Sequence, residues 1–163
     1  MAKSETTTIG ACGEHYVSAY LSGFGLLVAL PRAGIPGSDL FVAAVSGGRP
    51  IRVQVKTGTQ AKRNTKWAPG EIYLWSTSCS VIERHDENLW YAYVWLNGWP
   101  EEGKNLPEVF FVPSVDVMTC MTAVREENKE NPKAWTYFWM RADDAKKYKD
   151  SAGLKPLIDT LNR

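Results

Sequence analysis

No apolar run in the 163-residue chain approaches the roughly 20 residues needed to cross a bilayer, so no membrane association is expected. The start, from Met1 to Thr8, lacks the apolar stretch of a secretory signal and reads as a poorly ordered lead-in to the first helix. Cysteine is scarce. Cys12, Cys79 and Cys120 are an odd number with no close pairing, which argues against a disulfide framework or a zinc site. Reduced thiols in a cytoplasmic protein are the expectation. Net charge is only +1, so no global basic field of a DNA coat protein is present, although a local basic surface beside an acidic site remains open. His15 and His85 have no metal-ligand partner at useful spacing, and a G-x-S-x-G elbow is absent, which leaves nucleophilic serine or cysteine schemes without support. Internal repeats and low-complexity segments are also lacking.

What is there fits one globular domain over 1–163. Its motif region is 10–58, followed by a basic loop at 58–70 and C-terminal strands and helices at 71–163. The hydrophobic fraction of 44% suffices for a core without staples. Val17, Tyr20 and Leu21 recur at helical spacing over 10–22, and Gly23 supplies a stop. The run Phe24 to Leu30 reads as a buried strand. Two strands follow, 39–46 and 50–57, as a hairpin joined through Gly47-Gly48, a pair that tolerates the positive φ of tight hairpin turns. Residues 58–70 read as a long mobile loop. Strands are expected at 71–76, 89–97, 108–112 and 135–140, with a short helix before the second of these. A helix from about 115 to 129 takes Ser114 as its N-cap. The tail from Ala142 reads as helical and broken around Gly153 and Pro156. This order implies α/β architecture, a mixed sheet flanked by helices.

Side chains alternate faces along a strand. Ile51, Val53 and Val55 therefore point to the core, and Arg52, Gln54 and Lys56 point the other way. A two-residue Gly47-Gly48 turn pairs Phe41 with Gln54 and Asp39 with Lys56. Asp39 and Gln54 then become diagonal neighbours on one face, roughly 7–8 Å apart at Cα. A one-residue slip would throw Asp39 onto the opposite face.

Ser38-Asp39, the hairpin and Gln54-Val55-Lys56 resemble the acidic residue and (D/E)-x-K pair of PD-(D/E)XK nucleases. Gly13-Glu14 on the first helix is similar to the helical glutamate of archaeal Holliday-junction resolvases and Mrr-type restriction endonucleases. Tyr91 to Trp95 and Phe110 to Ser114 look like later core strands and the following helix of small nucleases of this group. The resemblance implies a restriction endonuclease-like fold and a Mg²⁺-dependent nuclease acting on DNA, with Mn²⁺ as a substitute. Asp39 is then the principal metal ligand, joined by Gln54, the Val55 carbonyl and Glu14, while Lys56 assists the attacking water or stabilises phosphate charge. Gln54 departs from the commonest pattern: its amide oxygen ligates without bringing negative charge, which lowers the expected metal affinity.

Lys62, Arg63 and Lys66, with Trp67 nearby, form the one clear basic cluster and are candidates for phosphate contact, as are Arg32 and Arg52. A sheet edge or helix could pair two subunits into a homodimer. No organic cofactor is expected. The competing readings are a nucleic-acid-binding module that kept the fold and lost the chemistry, and a protein-interaction domain whose polar strand face is merely solvated.

Overall fold

A computed structural model describes residues 3–31, 37–68, 70–84, 86–101, 105–130 and 136–162, with the side chains of 3–6 outside that description. Two sheets organise the chain. The main one has five strands in the order β1-β2-β3-β6-β7, and a smaller one has the order β4-β5-β8. In the main sheet β1 is Leu26–Ala29, β2 Leu40–Ala44, β3 Ile51–Gly58, β6 Leu89–Trp95 and β7 Glu108–Pro113. Strand β3 pairs antiparallel with β2 and parallel with β6, which makes the sheet mixed as expected.

Alternation divides the core by face. Leu40, Val42, Ile51, Val53, Val55, Ala92 and Phe111 enter one cluster with Val17 and Leu21 of helix α1 (Lys3–Gly23) and Leu154, Leu157 and Leu161 of helix α4 (Asp150–Leu161). On the opposite face Tyr91, Tyr93, Phe110 and Val112 pack with helix α2 (Ser114–Glu127) and with Tyr73, Trp75, Phe138 and Met140 of the small sheet. Fully burying side chains of this size stabilises by about 1.5–3 kcal/mol each. The small sheet is made of β4 (Lys62–Asn64), β5 (Glu71–Ser76) and β8 (Tyr137–Arg141). It covers this second face over β6 and β7, while the corresponding residues of β1, such as Leu27, stay exposed and Phe41 and Ala43 of β2 are half-buried.

Several expectations are corrected. Helix α1 begins at Lys3, so the lead-in is largely helical. Strand β1 is a sheet edge rather than a buried strand: Leu26 and Val28 pack on the core, while Leu27 is 56% exposed. The segment expected as a mobile loop at 58–70 carries the end of β3 and strand β4, because Lys62 to Asn64 find antiparallel partners in β5. Ser114 is the first residue of α2, not its cap; its hydroxyl accepts from the Asp86 amide at 2.9 Å and donates to the Asp86 carbonyl at 2.6 Å. The break in the tail falls at Lys149, in extended conformation between a 3₁₀ turn at Lys146–Tyr148 and α4. Helix α3 (Ala142–Ala145) precedes that turn. Gly153 and Pro156 lie inside α4, and a Cβ at Gly153 would stand 1.9 Å from the Tyr148 carbonyl oxygen. Glycine there serves close packing rather than helix termination.

Candidate active site on the polar face of β3

The hairpin register decides which side chains meet. Leu40 pairs with Val53, Phe41 with Arg52 and Val42 with Ile51, so residues 45–50 form a longer connection than a two-residue turn. Phe41 thus faces Arg52 instead of Gln54, a shift of two residues. An even shift preserves faces. Asp39, Gln54 and Lys56 consequently still share one face, and Asp39 moves from diagonal to direct opposition with Gln54. The Asp39 amide donates to the Val53 carbonyl at 3.0 Å, the Val55 amide donates to Asp39 Oδ2 at 2.7 Å, and the Gln54 amide nitrogen donates to the same oxygen.

Glu14 arrives from α1. A Cβ at Gly13 would stand 1.8 Å from Thr57 Oγ1, so only glycine lets the helix lie this close to the end of β3. Burial raises the Glu14 carboxyl above its ordinary pKa, the Asp39 carboxylate raises it further, and His15 and Lys56 pull it down. Burial likewise raises Asp39, opposed by the Val55 amide and by Lys56. These mutual influences place Glu14, Asp39 and Lys56 in one electrostatic neighbourhood.

Arg52, Gln54 and Lys56 line a cavity of about 490 Å³. Its other walls were not singled out from the sequence. Ser78, Ser80 and Arg84 come from the 3₁₀ helix Cys79–Glu83 and its flanks, and Tyr91 stands beside Gln54 on β6. Arg52 Nη2 contacts Asp86 Oδ2 at 2.7 Å, and the Asn88 amide, more than Arg52, holds the Asp86 carboxyl below its ordinary range. Burial pushes the Tyr91 hydroxyl up to about 12, Arg84 and Arg52 oppose this, and the phenol stays neutral as a hydrogen-bond donor. Arg84 sits in what reads as a solvated polar run. Only the parallel β3–β6 pairing and the 3₁₀ turn reveal where these residues point, and neither leaves a periodic signal.

The other basic candidates lie elsewhere. None of Lys62, Arg63 and Lys66 lines this cavity; Lys62 pairs with Glu71 at 3.0 Å, and Arg63 donates to the Gln60 carbonyl at 2.6 Å. Arg32 lies outside the described residues. Among the described residues no three of His, Cys, Asp and Glu cluster as metal ligands. Also among the described residues, no helix is long and apolar enough to cross a membrane.

No family model matches the chain, and no curated protein matches it. Among solved structures it is similar to a bacterial homing endonuclease, I-Ssp6803I, with a TM-score of 0.52 and 14% identity over 92% of this chain and 90% of that one. Likeness at this identity concerns the fold alone: the chain and that endonuclease share an architecture.

Proposed function

We propose that the protein is a metal-dependent nuclease of PD-(D/E)XK type that hydrolyses DNA phosphodiester bonds at the polar face of β3. The observation that carries this reading is the convergence of Asp39, Gln54 and Lys56 on one face, with Glu14 beside them and a cavity bordered by Arg52 and Arg84 in front. The endonuclease activity in the name of the structural neighbour agrees with it.

The donor set suits Mg²⁺, which commonly takes one or two carboxylates and keeps several waters. Asp39 and Glu14 would hold the ion, with the Gln54 amide oxygen and the Val55 carbonyl completing the protein's share. When bound, the ion supplies Lewis acidity and a more acidic water. The chain's own groups do the rest. Val55 fixes the Asp39 carboxylate by a main-chain bond, so its free oxygen has a set direction. Lys56 donates to the attacking water or to the phosphate oxygens as charge builds. Arg52 and Arg84 receive the flanking phosphates, and Asp86 orients Arg52.

One observation favours a second reading, binding without cleavage: the residue opposite Asp39 is a neutral amide that, with the Val55 amide, satisfies Asp39 Oδ2 within the protein. A cleavage panel of supercoiled, linear, single-stranded and four-way-junction DNA with Mg²⁺, Mn²⁺ or EDTA separates the two. Metal-dependent cutting that Lys56→Ala loses by about 100-fold or more supports the nuclease. Salt-sensitive binding without cutting supports the second reading, and cutting that survives in Lys56→Ala removes the site from this hairpin.

A further inference from the structure

The small sheet has two faces, and its outer one is unused by the site above. Pairing sets Arg63 opposite Ile72, Leu74 opposite Trp139, and Ser76 opposite Tyr137. Alternation then puts Arg63, Leu74, Tyr137 and Trp139 together on the face turned away from the cluster that Tyr73, Trp75, Phe138 and Met140 enter. Trp67 folds over this face and meets the Trp139 ring at 5.2 Å and 80°, so the two indoles form a corner. With the end of α2 these side chains border a groove of about 530 Å³ that shares no lining residue with the cavity at β3.

Two properties of the groove select an occupant. Its aromatic rings are presented rather than packed away: Trp67 is 59% exposed and Tyr137 43%. Isolated exposed aromatics are ordinary, but aromatics clustered in a groove mark a binding surface. Its charge is one-sided. Arg63 lines the groove and Lys66 adjoins Trp67, whereas Arg141, opposite the fully buried Ile72, lies outside the groove and borders another pocket with Asp116 and Asp144. Among the described residues neither Arg63 nor Lys66 makes an ion pair, whereas Lys62 is matched by Glu71. By alternation Lys62 and Glu71 lie on the inner side, and the strand residues of the outer face include no carboxylate. Exposed rings flanked by unmatched cations complement a polyanion whose bases are free to stack.

We infer that this outer face is a binding platform for an unpaired DNA strand, with bases stacked on Trp67 and Tyr137 and phosphates against Arg63 and Lys66. The choice of DNA rests on the nuclease reading; the platform itself needs neither a metal nor Lys56. It would hold a displaced or terminal single strand while the duplex occupies the cavity.

The test is fluorescence anisotropy of a labelled oligothymidylate of about 12 nucleotides, within the usual site size, titrated in EDTA with the full chain carrying Lys56→Ala. Trp67→Ala and Tyr137→Ala are each expected to weaken binding about five-fold or more, while Trp67→Phe stays near the parent. Arg63→Gln should flatten the slope of log affinity against log salt by about 0.7. Trp67→Phe also guards against misfolding as an explanation. Unchanged affinity in both alanine variants, or no single-strand binding by the parent, overturns the platform. Tighter binding of oligouridylate overturns DNA as the occupant. A dimer in sedimentation that Trp67→Ala dissociates makes the groove a self-association surface instead. Cleavage assays report on β3 alone, so a failure there leaves this result standing, and the reverse.

Discussion

The main-chain amide of Val55 grips the side chain of Asp39 across two strands, at 2.7 Å from Oδ2. Val55 buries its own side chain in the opposite cluster, so one residue anchors the core and aims the carboxylate at once. A charge held this way loses solvent and gains a donor. Loss of solvent is the larger effect, and the Asp39 carboxyl is raised.

Asp39→Asn should therefore separate stability from activity. The amide oxygen still accepts from Val55 and the half-buried charge is gone, so the melting temperature is expected to hold or rise. Cleavage should fall by about 100-fold or more. Thermal melts in EDTA beside the DNA panel check both halves.

Gln54→Glu sets a second carboxylate directly opposite Asp39. Without metal the two repel, and the melting temperature should drop. With Mg²⁺ the variant gains a charged ligand, so the metal-induced rise in melting temperature should exceed that of the parent. A larger shift in the parent would count against metal binding at this pair.

Acidification gives a signed test. Asp39 and Glu14 carry raised pKa values in the fold, so each holds its proton at a pH where the unfolded chain has lost it. Folded carboxyls of this kind oppose stability above their folded pKa, and that opposition is relieved as pH falls through it. Metal must displace those protons. Affinity for Mn²⁺ by calorimetry should thus weaken with falling pH from a higher value than ordinary carboxylates would give, and binding should release protons to the buffer.

Gly13→Ala pushes a methyl group into Thr57. Overpacking of this kind costs about 1–3 kcal/mol, readable as a lowered urea midpoint. Because Glu14 rides on the same turn of α1, cleavage under stabilising conditions should fall further than the unfolded fraction explains.

Much of this arrangement was legible in the residues. Alternation in 51–56 separates core from site faces, and the Gly47-Gly48 pair marks the hairpin. The pairing register was displaced by two residues because the connection at 45–50 is wider than the glycines suggest, yet parity kept the faces. The exposed side of β1 was not legible: an unbroken apolar run looks the same whether it is buried on both sides or lies at an edge. Arg84, Ser78 and Tyr91 were missed for another reason. Their positions depend on which strand lies beside β3, a long-range pairing that local pattern does not encode.

That long-range partner has a consequence for how the chain matures. Strand β3 ends at Gly58, and its parallel neighbour β6 begins only at Leu89, after the small sheet's β4 and β5 have intervened. A nascent chain that has emerged only to residue 70 holds every proposed ligand, but neither Tyr91 beside Gln54 nor the turn that carries Arg84. Loop closure over such a span is slow compared with local contacts. On the nuclease reading, the complete site would thus come late in folding, when β6 docks, and the growing polypeptide would carry its proposed ligands unassembled until the residues of β6 have followed them.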